Sequence, residues 1–146
     1  MLLNSEDYKM KKYNVVVVIN PTFDKVLFCK RLKEPYQGKY NLVGGKIEKE
    51  NDGLNEAYRE LFEETAISKE DIQLKHFMNL EYISLQKYLE VYYGVLKHDV
   101  ILVEEVNSLE WISIDDNFFD MDKYAGEGNI GHILEEIKVS ENFKIS

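Results

Sequence analysis

The stretch from Gly44 to Ile67 constrains this chain most, because it joins a glycine pair to a strongly acidic segment. Within it, apolar and small residues recur at spacings of three and four, which predicts an amphipathic helix. The residues of this stripe are Leu54, Ala57, Tyr58, Leu61 and Thr65. At about 100° per residue, four glutamates gather on the opposite side of the same helix. These glutamates are Glu56, Glu60, Glu63 and Glu64.

The charge on the acidic side of this helix is poorly balanced. Glu60 has like-charged neighbours three and four residues on, and such pairs cost an isolated helix about 0.2–0.5 kcal/mol each. Arg59 is the only cation between Leu54 and Ile67. A divalent cation with oxygen ligands would neutralise this side, since carboxylates are the ligands that hard cations prefer. The alternative is an exposed acidic helix with no bound ion.

The glycine pair precedes the acidic helix and follows the apolar residues Leu42 and Val43. We therefore expect a strand that ends at Gly44-Gly45 in a tight turn facing the helix. Glycine allows backbone groups to approach a metal or a phosphate closely. A simple strand-end turn beside a surface helix is the alternative interpretation.

The whole stretch resembles the signature of the Nudix hydrolases: glycine, five residues, glutamate, seven residues, then Arg-Glu-apolar-x-Glu-Glu-x-Gly-apolar. Counted from Gly45, the residues in register are Arg59, Glu60, Leu61, Glu63, Glu64 and Ile67. Two positions depart, since Asn51 stands in place of the first glutamate and Ala66 in place of the late glycine. The preceding GGKIE wording also resembles the MutT-like branch of the family.

The resemblance implies an α/β fold, a Nudix-type α/β/α sandwich with a mixed β-sheet. We expect the domain to span residues 13–146 after an N-terminal extension, residues 1–12. The unbroken β-branched run Val15–Ile19 predicts a central strand buried on both faces. Further strands are expected at residues 25–31, 72–84, 87–98 and 109–113, the second and third of these forming an antiparallel pair. Asp52 is the expected N-cap of the acidic helix, with Asn51 as the alternative, and Asn129 is the expected cap of a final helix.

The resemblance also implies a reaction: hydrolysis of a phosphoanhydride bond in a nucleoside diphosphate linked to another moiety, such as a nucleoside triphosphate or a nucleotide-sugar, with Mg²⁺ or Mn²⁺. By this resemblance Glu60, Glu63 and Glu64 are the metal ligands, with the Gly44 carbonyl as a fourth. Arg59 would orient these carboxylates. A Nudix-fold nucleotide-binding or regulatory module with weak catalysis is the alternative function.

Residues outside the helix complete the expected site. An acidic loop followed by an apolar-Glu-Trp-apolar strand recurs in the family, which makes Glu105 the candidate base or late metal ligand, with Glu104 as its alternative. Gly45, Lys46 and Tyr40 are expected to contact the substrate, although partly buried tyrosines in an exposed connection are common.

The two departures from the signature carry their own expectations. In the family the missing glutamate helps to hold the arginine, so Asn51 leaves Arg59 without that charge unless Glu48 or Glu50 supplies it. Ala66 must accept about 1 kcal/mol of strain in a left-handed conformation, or the helix must end differently.

Length and charge limit the other function classes. At 146 residues the chain suits one domain. Its net charge of −9 argues against binding to a nucleic-acid polymer but does not exclude a small phosphorylated substrate whose charge is bridged by metal. Cys29 is the only cysteine, which excludes an internal disulfide and favours a cytoplasmic location. Because it lies in an apolar run, we expect Cys29 in the core. No segment predicts a signal peptide or a membrane span, and the sequence leaves a homodimer open.

Overall fold

A computed structural model describes residues 11–47, 52–82 and 86–140. In chain order the elements are β1 (Lys11–Ile19), β2 (Lys25–Lys30), β3 (Tyr40–Asn41), β4 (Val43–Lys46), α1 (Gly53–Thr65), β5 (Lys75–Tyr82), β6 (Lys87–Val95), β7 (Ser108–Ser113) and α2 (Asn129–Ser140). Residues 1–10 of the expected extension, and Glu48, Glu50 and Asn51, lie outside the described residues.

The strands of the described chain form one mixed sheet in the order β3-β2-β1-β6-β5, with β4 also pairing β1 and β7 also pairing β2. The neighbours β1 and β6 run parallel, from Lys11 opposite Lys87 to Ile19 opposite Val95. The remaining pairings are antiparallel. The predicted mixed sheet is therefore confirmed.

β1 is central because both of its faces are covered by a helix. Val16 and Val18 pack with Ala57 and Leu61 of α1. On the other face, Val17 and Ile19 belong to the cluster that contains the α2 stripe, formed by Ile130, Ile133, Leu134 and Ile137. Strand residues that alternate between two helices read as a continuous apolar run, which is how β1 reads in the sequence. The predicted α/β/α sandwich is confirmed.

The ends of α1 follow the sequence signals. The Asp52 side chain accepts a hydrogen bond from the Asn55 amide at 3.3 Å and caps the N-terminus. At the other end Ala66 adopts the left-handed conformation, with φ of 67°, and its N–H donates to the Phe62 carbonyl at 2.9 Å. Alanine therefore takes the conformation that the family gives to glycine, at a cost of about 1 kcal/mol.

Two local expectations were wrong. The glycine pair does not end a strand, because it lies inside β4, where Gly44 pairs with Val15 and Gly45 with Asn14 along the central strand. The helix is also rotated from the predicted face, since Leu54 is 40% exposed while Glu56 is only 7% exposed. An ion pair within the helix, described below, explains how Glu56 is tolerated there.

Candidate active site

The site is built where α1 crosses the glycine pair of β4. A Cβ atom on Gly45 would lie 2.7 Å from Oε2 of Glu60, so a side chain there would displace that carboxylate from its present position. A Cβ on Gly44, whose φ is +154°, would lie 2.1 Å from the carbonyl oxygen of Asn14. The Gly44 backbone lies close to the Glu64 carboxylate and acts to lower its pKa. The two glycines thus bring backbone and carboxylates together, as glycine permits at a close approach.

The carboxylates of Glu60 and Glu64 lie in a negatively charged environment and are partly shielded from solvent. Burial, together with the neighbouring charge of Glu60, raises the pKa of Glu64 to about 8. Burial also raises the pKa of Glu60, against the opposing effect of Arg59. Both shifts have the cause expected when anions gather without enough positive charge. A cation bound here would lower both pKa values.

Arg59 is held by three glutamates of its own helix. One guanidinium nitrogen, Nη2, lies 2.6 Å from Glu56 and 2.9 Å from Glu60. The other, Nη1, lies 3.0 Å from both carboxylate oxygens of Glu63. These partners, Glu56 above all, raise the pKa of Arg59 above its usual range. The expectation for Asn51, Glu48 and Glu50 falls outside the described residues, but Glu56 supplies negative charge to Arg59 from one turn away.

The carboxylate oxygens of the α1 glutamates are of the kind that binds a hard divalent cation, but they are not arranged around one point. Within residues 11–47, 52–82 and 86–140, no three His, Cys, Asp or Glu side chains converge to hold an ion as they stand. The ion pairs of Arg59 account for this, since they draw carboxylate oxygens of Glu60 and Glu63 toward the guanidinium. The oxygen donors themselves are those that Mg²⁺ and Mn²⁺ prefer.

The loop before β7 brings Glu105 to the acidic helix. Glu105 lines a cavity of about 180 Å³ together with Glu63, Glu64 and Cys29. Glu104 is engaged elsewhere, because its carboxylate accepts the Leu109 amide at 2.6 Å and so shapes the loop. Of the two neighbouring carboxylates, Glu105 is therefore the one that shares a cavity with the predicted ligands.

A second cavity, of about 460 Å³, begins at the glycine pair. It is lined by the predicted residues Gly44, Gly45, Lys46 and Glu64, and by residues that the sequence did not single out for the site. Among the latter are Asn14, Cys29, Lys87 and Glu127, while Arg31 and Tyr36 of the loop after β2 also line the cavity. The Tyr36 hydroxyl donates to Glu127 at 3.2 Å and so links two loops at this cavity.

Two more residues have predictions attached to them: Tyr40, expected to contact the substrate, and Cys29, expected in the core. Tyr40 is not among the residues that line this cavity; its hydroxyl donates to Glu110 and its ring packs against Tyr124. Cys29 is 5% exposed, and burial raises the pKa of its thiol to about 11. The prediction of a core cysteine is confirmed.

A larger and more open groove of about 530 Å³ lies on the outer side of α1. It contains Arg59, Tyr58 and Phe62 but none of the clustered glutamates. The two smaller cavities, which are both lined by Glu64, are therefore better candidates for the active site than this groove.

Comparison with known proteins identifies the family. The model of the NUDIX domain matches residues 10–132. The chain belongs to the NUDIX family. A comparison with curated proteins gave no match. Within the described residues, no helix has the length and apolar character needed to cross a membrane.

Solved NUDIX structures share this fold at low identity. A MutT/nudix family protein from Enterococcus faecalis has a TM-score of 0.74 and 15% identity, over 97% of this chain and 65% of that one. An Ap4A hydrolase from C. elegans has a TM-score of 0.71 and 17% identity, covering 89% and 98% of the two chains. The NUDIX domain of Shewanella oneidensis NrtR, in complex with ADP ribose, has a TM-score of 0.71 and 15% identity, covering 95% and 94%.

Proposed function

We propose that this NUDIX chain hydrolyses a phosphoanhydride bond in a nucleoside diphosphate linked to another moiety, with Mg²⁺ or Mn²⁺. The observation that carries the proposal is the pair Glu60 and Glu64: both are partly buried beside the glycine pair, and Glu64 lines a cavity of about 460 Å³. When bound, the cation would neutralise phosphate oxygens and lower the pKa of a coordinated water.

The glutamates of α1 would hold the cation. Glu60 and Glu64 offer carboxylate oxygens next to the backbone of Gly44, whose carbonyl is a further candidate donor. Glu63 would join them by leaving Arg59, which retains Glu56 as a partner at 2.6 Å. In this arrangement Arg59 positions the ligands and does not meet the substrate.

Glu105 would accept a proton from the attacking water or complete the cation site. Its place in one cavity with Glu63 and Glu64 supports this role over Glu104, whose carboxylate is bonded to the Leu109 amide. A general base must lie within hydrogen-bond reach of the proton that it removes, directly or through one water.

The cavity of about 460 Å³ at the glycine pair would take the organic part of the substrate. Its volume suits a nucleoside, and its lining combines apolar residues with a few polar groups, as is usual for small-molecule sites. Lys46 and Arg31 add positive charge in a chain of net charge −9, which favours phosphates at this cavity. Gly45 and Lys46 are proposed to contact the substrate, and the role of Tyr40 stays a prediction.

A substrate panel tests the proposal. Nucleoside triphosphates, dinucleoside polyphosphates, ADP-ribose and nucleotide-sugars would be incubated with Mg²⁺ or Mn²⁺, and the products separated by chromatography. We expect turnover of at least one class, and its loss in Glu64→Gln, which keeps the side-chain shape and removes the charge. If the wild type yields no product from any class with either metal, the proposal is wrong.

A binding module is the second candidate function. The likeness to the NUDIX domain of NrtR, which was solved with ADP ribose, favours it. Calorimetry with ADP-ribose separates the two functions: binding without turnover of any substrate would support a module, whereas turnover supports the enzyme.

A further inference from the structure

A buried polar residue lies in the central strand β1, directly beside the site. Asn14 precedes the run Val15–Ile19 and is only 1% exposed. It lies between β4 and β6, opposite Gly45 on one side and Glu90 on the other. Asparagine is disfavoured in strands, and burying its amide is costly unless the amide is fully hydrogen-bonded. A β-branched residue would suit the strand better, so the presence of Asn14 requires another reason.

The Asn14 amide is used on one side only. Its Oδ1 accepts the backbone N–H of Gly45 at 3.1 Å. Its Nδ2 is buried and has no hydrogen-bond partner anywhere in residues 11–47, 52–82 or 86–140. A buried donor left unsatisfied is destabilising, so the residue is poorly explained by stability alone.

The hydrogen bond from Asn14 acts on the backbone against which the carboxylates rest. Glu60 lies over Gly45, where a Cβ would stand 2.7 Å from its Oε2, and Glu64 lies near the Gly44 backbone, which acts to lower its pKa. Glycine has no side chain that packing could hold, so hydrogen bonds must fix its position. The glycine pair is thus held from β1 by Asn14 and faces the two glutamates of α1.

We propose that Asn14 is a positioning residue for the cation site, which it serves by fixing Gly45 and thereby the place of Glu60. The inference rests on the proposed function, because it assumes that Glu60 and Glu64 bind Mg²⁺ or Mn²⁺. Asn14 itself does not touch the cation. Groups that orient metal ligands in this indirect way typically contribute about 10–100-fold to metal affinity.

The test is a titration with Mn²⁺, followed by the electron paramagnetic resonance signal of the free ion, with thermal unfolding measured in parallel. Asn14→Val removes the acceptor for Gly45 and gives the strand a residue that it prefers. We expect Mn²⁺ affinity to fall about 10-fold or more while the melting temperature stays unchanged or rises. Asn14→Ala, which also lacks the acceptor but adds no branched bulk, replaces it if the valine variant does not fold.

Val16→Ala is the matched control. Val16 is fully buried two residues further along the same face of β1, and it pairs with Val43 of β4. Its register partner is Val43 and not a residue of the glycine pair, so we expect the melting temperature of Val16→Ala to fall and its Mn²⁺ affinity to stay within about twofold. This control separates loosening of the strand from loss of the Gly45 hydrogen bond.

Two results would overturn the inference. If the folded Asn14 variants bind Mn²⁺ as tightly as the wild type, or if they lose stability and keep affinity, Asn14 is structural only. Wild-type protein that binds no Mn²⁺ would overturn the proposed cation site as well, so the wild-type titration alone distinguishes the two failures.

Discussion

Replacing Gly45 by alanine tests whether Glu60 must lie against the glycine strand. The added Cβ would stand 2.7 Å from Oε2, 2.8 Å from Cδ and 3.0 Å from Oε1 of Glu60. An ordinary contact requires about 3.4 Å, so the carboxylate has to retreat by about 0.7 Å. The φ of Gly45 is not in the left-handed region, so alanine adds no backbone strain there.

The retreat should separate activity from stability. The atoms that meet the new methyl belong to the mobile end of a long side chain, so we expect the free energy of unfolding to fall by no more than about 1 kcal/mol. Displacing a catalytic group by about 1 Å can cost 10²-fold in rate, and we therefore expect kcat to fall about 10- to 100-fold. Steady-state kinetics, Mn²⁺ titration and urea unfolding measure the three quantities.

Gly44→Ala is the contrasting variant. Its Cβ would lie 2.1 Å from the backbone oxygen of Asn14, at a φ of +154°, where neither atom can move away cheaply. We expect a loss of about 3 kcal/mol or more in unfolding free energy. A 0.7 Å displacement of the Glu60 carboxylate should lower both kcat and Mn²⁺ affinity. The reasoning is refuted if Gly45→Ala keeps both quantities within about threefold of the wild type.

Three further predictions concern groups around the glutamates. Glu56→Gln should lower kcat about 3- to 10-fold, by weakening the hold on Arg59, and a normal rate in steady-state kinetics would contradict this. Glu105→Gln should lower kcat about 10²–10⁴-fold with little change in unfolding, whereas Glu104→Gln should mainly lower the melting temperature; the reverse pattern would exchange their roles. Because the pKa of Cys29 is raised to about 11, its thiolate is scarce at pH 8, so labelling with a disulfide reagent should be slow there and quicken toward pH 11; rapid labelling at pH 8 would contradict the burial.

Much of the fold was predictable because its signals are local. The run Val15–Ile19 indicated a strand covered on both faces, and the structure places α1 and α2 there. For Ala66 the sequence left two alternatives, a left-handed conformation or a different helix end, and its φ of 67° shows that the first is adopted. Patterns of this kind depend on neighbouring residues along the chain, so one sequence contains them in full.

The errors arose where tertiary contacts overrode a local signal. Gly44 and Gly45 suggested a turn, but pairing with the central strand extends β4 through them to Lys46. Glu56 was assigned to an exposed acidic side, yet it is 7% exposed and bonded to Arg59. A charged residue is rarely buried without a partner, and its partner here depended on the exact rotation of the helix.

The residues that line the cavity of about 460 Å³ at the glycine pair were the least predictable part of the candidate site. Arg31, Asn14 and Glu127 come from widely separated segments and meet only through the sheet order. The Tyr36 hydroxyl reaches Glu127 across 91 residues of sequence. No spacing in the chain encodes such a meeting, so the motif located the glutamates of the site and left its substrate side open.

The departure at Asn51 takes on a different meaning once Arg59 is placed. The family glutamate matters because it supplies negative charge to the signature arginine, and the same charge can come from any carboxylate within reach. In this chain Glu56 lies 2.6 Å from Arg59, at a spacing of three residues on one helix, where the backbone itself holds the two side chains as neighbours. Burial of Glu56 strengthens that attraction, because a less polar surrounding screens it less. Arg59 is therefore oriented from within α1, and the missing glutamate is weak grounds for inferring a degraded enzyme.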